Sequence, residues 1–453
     1  MKQLLSMLCF ITIVLTSQAQ DKNFDLSKYK FPDYKSHEME FSFGSYGSGS
    51  NFSGFYTPSN NEPGRIIDYR NVYSYTNLNL GYSFTKSNRK RQENINSYFS
   101  STYRFDKSVN ENGKRTFSSP GSDFKIYANE RYYLTENKWF LEAYPYFESE
   151  IWSTNEMNPD LTKMERKGVS FSTRLGLGGG IGRIENVSEY WQAYYILEEL
   201  KKQGSLIRNY EDKDIHEFAS LASRLKSMRF FDSRLKKIDE MKSIDSLMHE
   251  NQLIQNSDIS YFATLSDYWN FASISNRFSG KVLKFLVTPS YGYRFTEEIG
   301  KSKNTIKNTD IKSELSFNCN KQLNLFWDRF FSLNITNITP LNIEEFVIKH
   351  PKNYQEISSY FGLGYYPNFR TKFTTQLSYN GSQFLSGLKD DGTKYKKVWS
   401  NSIALYSSAY YYISPQLRIE GNISTRYTDK IKTNNLRDRL DFTYNIAFRY
   451  AIF

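Results

Sequence analysis

Most of the chain alternates between apolar and polar residues with a period of two. The clearest run contains Leu440, Phe442, Tyr444, Ile446 and Phe448, which are separated by polar or small residues. Successive side chains of a strand point to opposite faces, so this run predicts a strand with one apolar, aromatic face. Similar runs predict about fourteen strands, near 38–47, 71–86, 94–107, 122–135, 138–153, 167–183, 281–297, 308–320, 325–339, 355–367, 369–383, 397–413, 415–429 and 438–453.

A single region, about 185–279, has a helical period instead. Ile215, Phe218 and Ala222 recur at helical spacing, with charged residues on the opposite face. Start signals such as Asn186 support helices near 187–203, 212–228 and 232–250. A fourth, aromatic segment at 258–274 is a further helix candidate. Two interpretations of this segment remain open: it packs against the other helices, or it lies at the inner membrane interface.

The first nineteen residues have the features of a secretory signal peptide: a basic start, an apolar core and a small-residue exit before Gln20. Beyond residue 19, no apolar run approaches the roughly 20 residues that a membrane helix needs. If the mature chain lies in a membrane, we therefore expect a closed barrel, the other structure that pairs every backbone group without water.

Connection lengths predict the orientation of such a barrel, since bacterial barrels have short periplasmic turns and longer outer loops. The odd-numbered connections near 48–70, 108–121, 154–166, 340–354 and 385–396 are long, whereas the even-numbered ones are short. The helical insertion is the sixth connection, so this parity places it on the periplasmic side.

Composition agrees with a barrel. The chain has 36 Tyr and 35 Phe, yet its mean hydropathy is −0.63. In a membrane barrel, the residues that face the water-filled lumen lower the mean hydropathy, while girdles at the two membrane interfaces supply many aromatic residues. Of the two cysteines, Cys9 lies in the signal peptide, which leaves Cys319 and excludes an internal disulfide. The net charge of +11 favours anionic lipid headgroups, lipopolysaccharide or anionic solutes over nucleic acid in an exported chain.

The final strand, with Tyr450 near its end and Phe453 as the last residue, resembles the terminal strand of Gram-negative outer-membrane β-barrels. The resemblance implies an outer-membrane location and recognition by the barrel-assembly machinery through this assembly signal. The insertion, at 190–193 and 229–235, also resembles a segment in outer-membrane proteins of this type. That resemblance implies a recurring module without a named activity.

Alternation places a set of charged residues on the lumen face. Its members are Arg174, Lys284, Arg294, Arg370, Lys372, Arg418, Glu420, Arg426, Asp441 and Arg449. Such charges are tolerated only where they are hydrated or paired. Two interpretations remain open: a pore with a mild preference for anions, and a mutually paired wall that holds the shape of the barrel.

Glycines alternate along the strand near 167–183, at Gly176, Gly178, Gly180 and Gly182, and share the face of Arg174. Because glycine allows close backbone approach, this column could receive part of the insertion or of the N-terminal lead as a plug. The alternative is that the glycines help the strand to coil.

Little in the chain supports catalysis. There are four histidines, of which only His350 falls in a predicted outer loop. No strand carries a dense set of metal ligands, and the segment 300–302 lacks the first glycine of a phosphate loop. We therefore predict no enzyme activity, no cofactor and no metal site.

Together these observations predict an all-β membrane barrel with an inserted α-helical module. The predicted parts are a signal peptide (1–19), a periplasmic lead (20–37), the first half of the barrel (38–183), the insertion (184–279) and the second half (280–453). The predicted function is a channel or transporter for small, in particular anionic, solutes. The alternative is a structural or assembly anchor whose helices dock a periplasmic protein through exposed Trp191, Tyr195, Phe230 and Phe231.

Overall fold

The computed structural model describes residues 33–56, 65–110, 113–135, 138–160, 162–227, 233–271, 277–344, 353–368, 370–386, 399–414, 417–429 and 438–450. Its strands are β1 (Tyr34–Tyr56), β2 (Arg65–Ser87), β3 (Arg91–Asn110), β4 (Gly113–Tyr133), β5 (Trp139–Met157), β6 (Lys163–Asn186), β7 (Phe278–Glu298), β8 (Ser302–Gln322), β9 (Trp327–Glu344), β10 (Asn353–Asn368), β11 (Thr371–Ser386), β12 (Trp399–Tyr412), β13 (Leu417–Asp429) and β14 (Arg439–Tyr450). Its helices are α1 (Ser188–Lys202), α2 (Asp212–Ser227), α3 (Ser233–Glu250) and α4 (Ile259–Phe271).

The fourteen strands form one antiparallel sheet, in which each strand pairs with its neighbours in chain order. The predicted strand number and fold class are thus confirmed. The first eleven strands are longer than predicted and β12, β13 and β14 are shorter; β6 has 24 residues, where about 9–11 span a bilayer. The predicted long connection at 108–121 was wrong, because β3 and β4 extend to Asn110 and Gly113. Polar residues there continue the hydrogen-bonded ladder beyond the apolar band.

The apolar side chains of the strands face outward. On β5 and β6, Leu141, Ile151 and Leu177 are 53–60% exposed, whereas the intervening Phe140 and Glu142 are at most 3% exposed. A continuous exposed apolar face on a fourteen-stranded sheet has to be covered by lipid. The protein is therefore an outer-membrane β-barrel.

β1 and β14 are the first and last strands of the sheet, and no pairing between them occurs within the described residues. Their outward side chains are among the most exposed, with Phe41 at 64% and Tyr444 at 71%. Unpaired backbone groups cost several kcal/mol each in hydrocarbon, so closure of the barrel in the membrane requires these two strands to pair.

The four helices pack together as a helical module that connects β6 to β7. They match the predicted helices to within three residues at each end, and the aromatic segment is the helix α4. Tyr261 and Trp269 of α4 are at most 2% exposed within the core of the module. Packing against sister helices therefore accounts for these two rings. None of the described helices is long and apolar enough to cross a membrane.

Two glycines lie where the barrel meets the module. Gly182, at the end of β6, has φ +98°, and Gly280, at the start of β7, has φ +123°. Side chains are disfavoured in this left-handed region, so glycine permits the change of direction here. Gly204, two residues after the end of α1, also has a positive φ, at +75°.

Candidate functional site

At one end of the barrel, the connections at 88–90, 134–138, 323–326, 369–370 and 413–416 are all short, whereas the other end has short connections, such as 111–112 and 299–301, as well as longer ones, such as 387–398. The connection between β6 and β7 belongs to the same series, so the helical module leaves the barrel at this end. We call it the short-turn end. Barrels of this class place short turns in the periplasm.

The helical module lies across the short-turn end. On one side, Trp191 and Tyr195 of α1 pack against Tyr366 at the end of β10 and Tyr412 at the end of β12. On another side, α2 contacts β1, and Tyr34 packs against the module core. Because the module leaves from β6 and β7, half-way round a fourteen-stranded sheet from β1, these contacts place it over the opening.

A buried ion pair joins the module to the barrel rim. Arg277, the residue before β7, is fully buried, and its Nε donates to both carboxylate oxygens of Asp328, at 3.0 and 2.9 Å. Its Nη1 donates to the carbonyl oxygen of Leu325 at 2.6 Å. The guanidinium carbon lies 5.1 Å from the ring centroid of Trp191 and 4.8 Å from that of Tyr366. We call these four side chains, of Arg277, Asp328, Trp191 and Tyr366, the latch.

A second polar contact supports the latch. The hydroxyl of Tyr195 donates to the carbonyl oxygen of Tyr366 at 3.2 Å. Burial raises the pKa of Tyr195, so the hydroxyl stays protonated and keeps its role as a donor. The module is therefore held to the barrel by directional bonds as well as by aromatic packing.

Arg183 contacts the rim on the side of β2 and β3. Arg183 near the end of β6 is 6% exposed, and its Nη1 donates to the carbonyl oxygens of Asn88 and Arg89, at 2.9 and 3.2 Å. Its guanidinium carbon also lies 4.9 Å from the ring centroid of Tyr133. Since the 88–90 turn joins β2 to β3, Arg183 bridges rim segments that are not neighbours in the sheet.

The glycine column makes room for side chains of the neighbouring strands. A Cβ at Gly180 would lie 2.6 Å from the ring of Phe140, and one at Gly178 would lie 2.9 Å from Leu286. Phe140 and Leu286 are at most 6% exposed. The atoms nearest to these glycines thus belong to β5 and β7, and both interpretations of the column, a plug and strand coiling, stay predictions. The N-terminal lead lies outside the described residues up to residue 32.

Many of the predicted lumen charges are paired. Glu420 binds Arg418 at 2.7 Å and also pairs with Arg449. Lys284 donates to Glu142 at 2.7 Å, and Arg131 holds the other oxygen of that carboxylate at 2.6 Å. Asp441 faces Arg426 in the register of β13 and β14. These groups form a mutually neutralised part of the wall.

Other predicted lumen cations have no carboxylate partner within ion-pair distance among the described residues. Arg174 lies over the ring of Tyr146 at 4.7 Å, and Arg294 faces Ser170 in the register of β6 and β7. Lys372 lies over the rings of Tyr366 and Tyr410. The same face also carries carboxylates with no ion pair within that distance among the described residues: Glu40, Asp123 and Glu150, of which Glu150 accepts a hydrogen bond from Ser170 at 3.3 Å.

Lys372 also borders a cavity beside the latch. The cavity has a volume of about 250 Å³, and its lining includes Asp328, Tyr366, Gln376 and Tyr406. Arg370, predicted on the lumen face of a strand, lies instead in the turn before β11, where its backbone N–H donates to Asn368 at 2.8 Å. A polar space thus connects the latch to the inward face of β11.

The predicted docking residues have a different environment from the one expected. Trp191 and Tyr195 are 1% and 7% exposed, so the expectation of an exposed docking surface was wrong for both. Their partners are Tyr366 and Tyr412 of the same chain. Phe230 and Phe231 lie outside the described residues, as does Phe453, while Tyr450 ends β14.

Sequence reasoning did not find the latch residues Arg277 and Asp328, or Glu142. Alternation marks Glu142 as inward once the strand is known, but a carboxylate with 0% side-chain exposure between two cations has no local signature. Within the described residues, no group of three or more metal-ligating side chains occurs.

Similarity to known proteins is found at the level of solved structures, with low TM-scores. No protein-family model matches the chain, and no curated protein sequence matches it. Among solved structures, it is similar to the translocator domain of the autotransporter NalP from Neisseria meningitidis (7% identity, 90% of this chain and 96% of that chain, TM-score 0.29). It is also similar to the Pseudomonas putida toluene transporter TodX (10% identity, 94% and 93%, TM-score 0.29). A third is OmpT, an outer membrane protein of Vibrio cholerae (8% identity, 91% and 97%, TM-score 0.25).

Proposed function

We propose that the protein is an outer-membrane channel for small anionic solutes, closed at its short-turn end by the helical module. In this proposal the short-turn end faces the periplasm, and solutes pass when the module leaves the rim. The observation that carries it is the latch, because a few directional contacts at Arg277 and Asp328 hold the module against the rim.

The chemistry of the latch supports reversible docking. A buried ion pair gains little over apolar packing, since the desolvation of both charges offsets their attraction. When the module leaves the rim, Arg277 and Asp328 regain water, so the ion pair itself adds little to the free energy of undocking. The core of the module lies among its own helices and need not be disrupted by this movement.

The inward charge supports the choice of solute. Arg174, Arg294 and Lys372 lack a carboxylate within ion-pair distance among the described residues, and the chain as a whole carries a formal net charge of +11. A wall with uncompensated positive charge raises the local concentration of anions and repels cations.

Planar-bilayer recording tests this function. The intact protein should give infrequent conductance steps, and a variant with 187–277 replaced by a short Gly-Ser linker should give frequent or constant ones. A reversal potential in a salt gradient should indicate anion preference. Heat-dependent gel mobility provides the folding control for both proteins. A folded deletion variant that stays silent would contradict the channel.

The alternative role, an anchor for a periplasmic protein, is favoured by a groove between α2 and α3. This groove has a volume of about 550 Å³, and its lining includes His216, Arg224, Ser246 and Glu250. None of the latch residues lines this groove, so a partner could bind there while the module stays docked. An anchor predicts that the deletion variant is silent in bilayers although it folds.

A further inference from the structure

The outward face of the barrel contains a groove where four small residues meet. Thr375 of β11 pairs in register with Ser407 of β12, and Ala409 of β12 pairs with Gly421 of β13. These positions line a cavity of about 830 Å³ on a face that elsewhere carries large apolar side chains. The depression exists because the side chains are short.

Aromatic rings form one wall of the groove. Trp327 and Tyr365 have ring centroids 4.6 Å apart, and Tyr365 and Phe373 are stacked at 6.3 Å. Tyr444 and Ile446 of β14 line the opposite side. Such walls with a narrow floor suit a flexible apolar chain, which gains dispersion contacts on both sides.

The floor offers little to a polar ligand. The hydroxyls of Thr375 and Ser407 lie 2.8 Å apart and hydrogen-bond to each other. Ala409 and Gly421 supply no polar side chain. The groove therefore favours a hydrocarbon chain over a peptide with unpaired amides, which would have to find partners in a dry site.

By strand alternation, two basic residues share the face of the groove and lie beside it in register. Lys321 of β8 and Arg329 of β9 are partners in register, and Arg329 in turn pairs with Leu363, which lines the groove. Leu363 pairs with Thr375 of the floor. With strands about 4.8 Å apart, Arg329 lies about 10 Å from the floor. One phospholipid can therefore place its headgroup at the basic pair and the start of an acyl chain in the groove.

We propose that this surface is a binding site for one phospholipid, with an acyl chain in the groove and the phosphate between Lys321 and Arg329. The occupant is a lipid rather than a second copy of the chain, because the groove opens on the lipid-covered face. A second copy would also bring a protein of net charge +11 against the same basic pair. Since Trp327 begins β9, next to the short-turn end, the lipid belongs to the leaflet at that end.

Tryptophan quenching tests the acyl-chain site, since Trp327 forms its wall. The protein and a W327F variant are reconstituted with phosphatidylglycerol that carries bromine on its acyl chains, and the difference between them reports Trp327. We expect the brominated lipid to quench this difference signal strongly. In A409F, where the phenyl ring fills the groove, the quenching should be at least twofold weaker. The matched control A143F adds a ring to the outward face of β5 and should leave the quenching unchanged.

The phosphate contact is tested separately with the double variant K321A/R329A, which leaves the groove intact. It should weaken quenching by brominated phosphatidylglycerol at least twofold and leave quenching by brominated diacylglycerol unchanged. Equal quenching in A409F and the intact protein would overturn the proposal. The proposal would also be overturned if neither brominated lipid quenched Trp327 and the protein had a dimeric mass in detergent. That result would indicate a second copy of the chain in the groove. Heat-dependent mobility confirms the folding of each variant.

Discussion

Removal of the Asp328 carboxylate is the most direct test of the latch. In D328A, Arg277 would remain fully buried in the docked state without its counter-charge. Breaking one partner out of a buried ion pair costs about 3–5 kcal/mol. In the undocked state the guanidinium is hydrated, so this cost falls on docking alone. Since 1.4 kcal/mol corresponds to a factor of ten, the ratio of docked to undocked protein should fall about 100-fold to 3,000-fold.

Two measurements report this shift. Amide hydrogen exchange should show faster exchange in α1, whose Trp191 and Tyr195 lie against the rim, while the barrel strands keep their protection. Conductance steps in a planar bilayer should become more frequent. The exchange measurement needs no assumption about transport, and therefore separates the latch from the channel.

Matched variants distinguish charge from general damage. In R277M/D328L, two apolar side chains of similar volume replace the pair, so docking should recover, because such replacements are often neutral or stabilising. In D441N, a carboxylate on β14 changes without any contact to the module, and neither measurement should change. Unchanged exchange in α1 of D328A would refute the reasoning. Equal loss of docking in R277M/D328L would show that the shape of the site, rather than its charge balance, holds the module.

Three further predictions concern other parts of the chain. In the barrel without the module, R294E should shift the reversal potential toward cation preference, since it replaces an inward cation that lacks a carboxylate partner among the described residues. Burial raises the pKa of Asp214, but the hydrogen bond and charge of the Arg208 guanidinium outweigh burial and hold this pKa below its ordinary value of 3.8. The ionised Asp214 therefore stabilises the fold above pH 3.8, and this stabilisation is lost as the pH falls through the folded pKa. Loss of exchange protection in α2 on acidification should therefore be smaller in D214N. G180V should abolish the heat-dependent mobility shift, because a Cβ would meet a neighbouring carbonyl oxygen and a phenyl ring, whereas G81V has an open site and should fold.

The local patterns of the sequence predicted the elements well. Alternation with a period of two gives each strand independently, and the change to helical spacing gives the module. The predicted start signal Asn186 lies one residue too early: Val187 is the N-cap of α1 and makes no side-chain capping bond, while the Oδ1 of Asn186 accepts a hydrogen bond from the backbone N–H of Ser188 at 3.0 Å. These features depend on residues close together in the chain.

The site depends on residues that are far apart, and alternation does not report them. Arg277 and Asp328 are 51 positions apart, and Tyr195 and Tyr366 are 171 apart. An aromatic residue on an amphipathic helix has the same pattern whether it faces solvent, a partner or its own barrel. This is why Trp191 and Tyr195 were expected on an exposed surface.

The position of the module between β6 and β7 has a consequence for any opening. Both of its ends are covalently continuous with the barrel, and each passes through a glycine in the left-handed region, Gly182 on one side and Gly280 on the other. A lid anchored at two points can swing from the rim but never diffuse away. Reclosure is then an intramolecular event, governed by a high effective concentration that is independent of how much protein the membrane holds.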